Sequence, residues 1–178
     1  MQRLGTDWID LYQLHVGTLP NDQAEIVADT LDTLCDEGLI RHYAWSTDDP
    51  TCAALFAKRN HAVSVQFDMN VFEDAPTMLD VVAETNWAAI IRQPLAMGFL
   101  SGKYTSSSAL PADDIRSRPP EWLRYFSKGG GTVPVWNDKL NAIRDILTSE
   151  GRTPTQGALA WIWARSPFTV PIPGVRTV

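Results

Sequence analysis

The sequence predicts an α/β protein built on a parallel sheet. Short aromatic and aliphatic runs alternate with longer segments of helical periodicity along the 178 residues, a pattern that places helices on the faces of parallel strands. The strand-like runs end on polar side chains, His15, Ser46, Gln66 and Arg92. In parallel barrels the chemistry gathers at that end of the strands. No run is followed by Gly-x-Gly-x-x-Gly, which weakens a dinucleotide-binding doubly wound sheet against a barrel.

The elements follow in order. Trp8 to His15 is a strand by composition. Gly17 and Pro20 then mark a loop. Asp22 with Glu25 has the spacing of a capping box, and Ala24, Val27, Leu31, Leu34 and Cys35 share one face of the helix it would open. Gly38 is its stop signal. Leu39 to Ser46 is the second strand, and Asp49-Pro50 opens a short helix with proline at its first position. Residues 62–67 form a strand, 76–84 a helix, and 88–92 a strand. From Lys103 to about Val133 the chain is irregular, with three consecutive serines, Pro119-Pro120 and Gly129-Gly130-Gly131; so long a loop is expected to act as a lid. Helices are expected from Trp136 to Leu147 and, behind a Thr153-Pro154-Thr155-Gln156 capping box, through Arg165. Phe168 to Ile172 is the fifth and last strand.

Composition narrows the function. With 44% hydrophobic residues the chain is an ordinary globular sequence, and at net charge −6 it is a poor match for a phosphate backbone, so nucleic acid is not expected as a partner. No apolar run approaches the roughly 20 residues of a membrane span. The N-terminal residues carry no apolar leader core, and Cys35 and Cys52 have no metal-ligand spacing; both fit reduced cysteines in a cytoplasmic protein. The seven tryptophans are expected in the core.

Several stretches together resemble one family. Leu4-Gly5-Thr6-Asp7-Trp8-Ile9-Asp10-Leu11-Tyr12-Gln13-Leu14-His15 is similar to the fourth-strand signature of the aldo-keto reductases. Gly38-Leu39-Ile40-Arg41 leading to Ser46 resembles their fifth strand, and Val65-Gln66-Phe67-Asp68-Met69-Asn70 the sixth. Pro94-Leu95-Ala96-Met97-Gly98-Phe99-Leu100-Ser101-Gly102-Lys103-Tyr104 resembles the cofactor loop of the seventh, and Pro171-Ile172-Pro173-Gly174-Val175-Arg176 the eighth. The order and spacing hold along essentially the whole chain. The resemblance implies a partial (β/α)8 barrel, strands four to eight in about five β-α units, forming one incomplete domain over residues 1–178 with a lid-like loop at 103–133. It implies reduction of aldehydes or ketones with NADPH or NADH.

The resemblance also implies single-residue roles. His15 matches the histidine that orients and polarises the substrate carbonyl; His42 and His61 match nothing and are expected to be structural or surface residues. Ser46 and Thr47 match the pair on the nicotinamide carboxamide, Thr47 standing where asparagine or arginine is usual. Gln66 matches the glutamine that holds the same group. Arg92 stands where many members stack an aromatic ring on the nicotinamide; a guanidinium can also stack, and its charge is expected to favour the neutral, reduced ring. Gln93, Pro94, Leu95 and Lys103 match residues around the pyrophosphate. Arg116 falls in the lid segment as a phosphate contact, with an ordinary solvated charge as the alternative for it and for Lys103. Gly174 and Arg176 match the start of the adenosine-phosphate site. No metal site is expected.

The family's catalytic aspartate, tyrosine and lysine belong to segments that precede its fourth strand, and Tyr12, Tyr43, Tyr104 and Tyr125 match none of them. The chain alone is therefore expected to be catalytically incomplete. It is also expected to self-associate or to take a partner chain over its open sheet edges. The alternatives are a truncated, non-catalytic barrel fragment that binds nucleotide weakly or serves as an assembly unit, and a different parallel α/β enzyme.

Overall fold

Five strands alternate with helices in the computed structural model, which describes residues 3–175. The strands are β1 (Ile9–Leu14), β2 (Ile40–Ser46), β3 (Ala62–Asp68), β4 (Ala88–Arg92) and β5 (Thr169–Pro171); the helices are α1 (Asn21–Asp36), α2 (Pro50–Phe56), α3 (Pro76–Thr85), α4 (Pro134–Leu147) and α5 (Pro154–Arg165). All strands are parallel, and they lie in the sheet in chain order, β1-β2-β3-β4-β5. A doubly wound sheet reverses its order at a switch point. This one does not, and its order is that of a partial barrel.

The described chain forms two units. The first contains the whole sheet with α1, α2 and α3, over residues up to 69, 73–92 and 166–172; the second contains residues 70–72, 93–165 and those from 173 onward.

In the first unit the sheet buries one face under its helices. Tyr43 and Trp45 point to that side, where Phe56 of α2 meets both rings, at 5.3 and 4.8 Å between centroids. The Tyr43 hydroxyl donates to Asp32 of α1 at 2.8 Å. Arg59, in the turn after α2, reaches back to α1 and pairs with Glu25, with Asp29 at 2.6 Å and with Asp32 at 3.1 Å. Glu25 closes no capping box with Asp22, a departure from expectation, because Asp22 lies within the first turn and not at the N-cap. Helix α1 starts at Asn21 behind Pro20 and has no side-chain cap. At its other end Gly38, at φ 72°, closes the predicted stop: its amide donates to the Cys35 carbonyl and that of Leu39 to Leu34. Asp49 caps α2 through the Thr51 amide at 2.8 Å, with Pro50 at the first helical position.

In the second unit Phe99, Leu100, Leu123, Tyr125, Leu140 and Ala158 are fully or almost fully buried in one cluster. Phe99 and Tyr125 stack at 5.5 Å. Helix α4 begins at Pro134, two positions ahead of the expected Trp136, because proline is accommodated in a first turn. The Thr153–Gln156 capping box forms in both directions, at 2.8 and 3.2 Å. Residues 103–133 are irregular, as expected, apart from a 3-10 turn over Ile115–Ser117 and a bridge between Phe126 and Thr132. Leu123, Tyr125 and Phe126 from this stretch are buried in the unit's core. Among the described residues no helix is long and apolar enough to cross a membrane, and no cluster of metal-ligating side chains occurs.

Candidate active site

Side chains alternate between the two faces of a strand. With Tyr43 and Trp45 on the helix side, Ala44 and Ser46 lie on the opposite face. The register carries this face across the sheet: Gln13 pairs with Ala44, Ala44 with Ser64, Ser46 with Gln66, Gln66 with Ile90 and Asp68 with Arg92. Glutamine, serine, aspartate and arginine thus share one sheet face, and it grows more polar toward the strand C-termini.

His15 is the first residue after β1 and is exposed. The two residues that follow it are fixed to β2. The Trp45 indole N–H donates to the Val16 carbonyl and the Thr47 hydroxyl to the Gly17 carbonyl, each at 2.6 Å. His15 therefore stands on a loop held in place from the neighbouring strand. The Thr47 hydroxyl also accepts from the Asp49 amide at 3.1 Å, so both of its hydrogen-bonding directions are engaged within the chain.

Ser46 is buried at the end of β2, and Gln66 lies beside it on β3. The Gln66 amide group donates to the Gln13 side-chain oxygen at 2.7 Å. This bond spans β2, where Gln13 pairs with Ala44 and Gln66 with Ser46. It ties Gln66 to Gln13 and leaves the Gln66 amide both donating and accepting capacity for another partner.

Arg92 ends β4. Its guanidinium bonds Asp68 at 2.9 Å and pairs with Asp48 in the loop after β2. Asp48 also accepts from the Asp68 amide at 2.8 Å, which ties the three residues into one cluster. Burial pushes the Asp68 carboxyl up to about 6, Arg92 pulling it back only in part while Asp48 adds to the rise. A cleft of about 420 Å³ adjoins the cluster, lined by Asp48, Asp68 and Phe67 and by the segment from Glu73 to Met78.

The remaining candidates lie in the second unit. Gln93, Ala96 and Met97 have φ of 51, 49 and 56°, a left-handed series rare for residues other than glycine. It coils residues 93–101 tightly ahead of Lys103, whose exposed ammonium lies 4.9 Å from the Tyr104 ring centroid. Leu95 packs against the core cluster, and Pro94 lies between it and Gln93. Arg116 is held on all sides: it bonds Asp114 through two nitrogens, at 2.9 and 2.6 Å, the Tyr104 hydroxyl at 2.7 Å and the Met97 carbonyl at 3.3 Å. Gly174 is exposed with open space around it, and Arg176 lies outside the described residues.

Sequence reasoning passed over Gln13, Asp48 and Asp68. Each had a signal. Gln13 precedes His15 by two positions, and Asp48 and Asp68 follow Ser46 and Gln66 by two, the spacing that returns a side chain to the same face of a strand.

A parallel sheet in chain order, with polar residues gathered at its strand C-termini, defines part of an α/β barrel. The aldo/keto reductase family model matches residues 1–178, and the chain belongs to that family. Aldo-keto reductase yakc of Schizosaccharomyces pombe, whose name carries NADP(+), is 30% identical over 100% of this chain and 52% of its own length. Pyridoxine 4-dehydrogenase of Escherichia coli is 27% identical over 100% of this chain and 51% of its own. Among solved structures, the holo form of an aldo-keto reductase from Bacillus halodurans is 26% identical with a TM-score of 0.67, over 96% of this chain and 49% of that one. Glycerol dehydrogenase from Gluconobacter oxydans shares the fold at a TM-score of 0.75 and 22% identity, over 96% of this chain and 51% of that one. The chain spans about half the length of the curated relatives it matches.

Proposed function

We propose that this chain carries the nicotinamide-holding and carbonyl-orienting part of a reductase that uses NADPH or NADH on an aldehyde or ketone. The observation that carries the reading is the Gln13–Gln66 bond beside Ser46. A primary amide such as the nicotinamide carboxamide needs an acceptor and a donor, and a Gln66 side chain fixed by Gln13 offers both. Ser46 adds a hydroxyl; Thr47 acts by positioning, because its hydroxyl holds the His15 loop and its amide donates to the Gln66 carbonyl. The bound cofactor would supply the hydride. His15 would orient the carbonyl and donate a hydrogen bond to the oxygen where negative charge develops. In the second unit, Gln93, Pro94, Leu95 and Lys103 are assigned to phosphate oxygens, with Lys103 the exposed cation. Gly174 and Arg176 are assigned to the adenosine phosphate. Arg116 contributes by fixing its segment, since its guanidinium is already engaged, and 103–133 serves as the cover.

A second reading is favoured by the sheet edges. Among the described residues, strands β1 and β5 each pair on one side only, and an unpaired edge templates association. In that reading the chain pairs with a second copy or another chain, and holds nucleotide without turning it over. A cytoplasmic location fits both.

Fluorescence titration of the purified chain with NADPH and with NADH, beside a carbonyl-reduction assay and a light-scattering mass, separates the readings. Saturable binding supports the first assignment, and turnover by the chain alone would overturn the expectation that it is catalytically incomplete. Binding without turnover, at a mass above one chain, selects the second. No binding of either nucleotide refutes the cofactor assignment.

A further inference from the structure

We propose that Trp45 is a positioning residue for His15: it grips the chain on both sides of the histidine and so sets where the imidazole stands. The inference rests on the reading that His15 orients the carbonyl. It gives a role to a side chain that lies on the helix side of the sheet, away from the face that carries Gln13 and Gln66.

His15 is exposed, so its imidazole takes its place from the backbone around it. Trp45 holds that backbone twice. Before the histidine, Trp45 is the register partner of Leu14. After it, the Trp45 indole N–H donates to the Val16 carbonyl at 2.6 Å. A peptide group is planar, so this bond also fixes the plane that leads into Gly17. The donor stands on a rigid base. Trp45 is 1% exposed, and its ring centroid lies 4.8 Å from that of Phe56 on α2.

The rest of the loop is fastened by the same neighbourhood. The Thr47 hydroxyl donates to the Gly17 carbonyl at 2.6 Å. At a third point the Leu19 backbone bonds the sulfur of Cys52, a buried residue of α2. Burial pushes the Cys52 thiol up, so it keeps its proton at neutral pH and donates to Asp49, 3.6 Å away. Val16, Gly17 and Leu19 are thus tied in turn to β2 and α2, and the Trp45 tie is the one adjacent to His15. All of these residues belong to the first unit. Losing one hydrogen bond of such a set shifts the opening of the loop about two- to tenfold.

Magnetic resonance of the whole chain tests this. In Trp45→Phe, which keeps a ring against Phe56 and loses the N–H, the Leu19 amide is expected to exchange about two- to tenfold faster and the His15 ring to gain motion. The Thr47 amide, bonded to the Gln66 carbonyl, and the His42 and His61 rings are expected to keep their parent behaviour; a merely structural Trp45 would loosen all of them together. Thr47→Val should act on the loop as Trp45→Phe does, and Thr47→Ser should restore it. Should phenylalanine at 45 prevent folding, 3-benzothienylalanine there keeps the bicyclic shape without the N–H and gives the same readings. Titration with cyclohexanone in the presence of NADP+, followed on the His15 ring signals, should show about two- to tenfold weaker binding in the Trp45 variant. Loop exchange, His15 motion or cyclohexanone affinity that a folded Trp45 variant leaves at parent values overturns the proposal. A His15 ring that loosens in the variant, yet never responds to cyclohexanone in the parent, upholds the positioning by Trp45 and refutes the carbonyl reading.

Discussion

Alanine at Gly131 or at Gly129 perturbs the same turn in two different ways, and the structure ranks them. At Gly131 an added methyl carbon would sit 2.4 Å from the Ser106 carbonyl oxygen and 3.2 Å from its carbon. A carbon and a carbonyl oxygen settle at about 3.3 Å or more, so a gap of about 0.9 Å has to open. Ser106 cannot yield freely. The turn around it is closed by the Ser108 amide on the Thr105 carbonyl at 3.0 Å, by the Thr132 amide on the same carbonyl at 2.9 Å, and by the Thr105 amide on the Ser108 hydroxyl at 2.9 Å. Overpacking costs about 1–3 kcal/mol, and losing one of these bonds adds about 1 kcal/mol. Gly131→Ala is therefore expected to destabilise by about 2–4 kcal/mol. Gly129 has open space around it but a φ of +95°. Gly129→Ala meets only backbone strain, about 1–2 kcal/mol. Denaturant unfolding followed by tryptophan fluorescence measures both, since Trp122 and Trp136 belong to the same unit. A Gly131→Ala protein as stable as the parent, or more stable than Gly129→Ala, would refute the packing account of residues 103–133.

Three further outcomes follow from the site and its supports. Gln13→Leu removes the acceptor that fixes Gln66; NADPH affinity should fall about two- to tenfold, the worth of one hydrogen bond, while 2′,5′-ADP binding stays unchanged and Gln13→Glu, which keeps an acceptor, restores it. Asp68 has its carboxyl raised from 3.8 to about 6, chiefly by burial. Its protonated form is the favoured one in the folded chain, so its contribution is fully present below about 3.8 and is lost as pH rises through about 6. Asp68→Asn should therefore gain up to about 3 kcal/mol relative to the parent at pH 8, a difference that disappears near pH 4; stability curves of the two proteins that run parallel from pH 4 to 8 would contradict this. Thr153→Ala breaks the reciprocal cap of α5 and should cost about 1 kcal/mol in denaturant unfolding, with Thr153→Ser close to neutral.

The strands and their helices were legible because each announces itself locally. The aromatic and aliphatic runs at 9–14 and 40–46, the Gly38 stop and the Thr153–Gln156 box are all settled within a few residues of chain. What was not legible depends on partners far along the sequence. The Asp22–Glu25 box fails because α1 starts one residue early, at Asn21, and Glu25 instead pairs with Arg59, 34 residues beyond it. The stretch 103–133 has no periodicity, yet it places Leu123, Tyr125 and Phe126 into a core completed by Phe99 and Leu140. At the site, the residues on the strand ends could be picked out, but their charge balance could not. Arg92 reads as a lone cation until Asp48 and Asp68 are seen bonded to it.

The chain order of the sheet has a kinetic consequence. Each of β2, β3 and β4 can dock on the strand formed just before it, through a connection of one helix, so these pairings close short loops and should form quickly. Strand β5 differs. It joins β4 only after the chain from Gln93 to Phe168 has been traversed, and it has just three residues with which to hold its place. Until the second unit has taken shape, β4 remains a bare edge. Refolding should therefore show a fast phase that builds four strands and a slower one, set by the second unit, that adds the fifth.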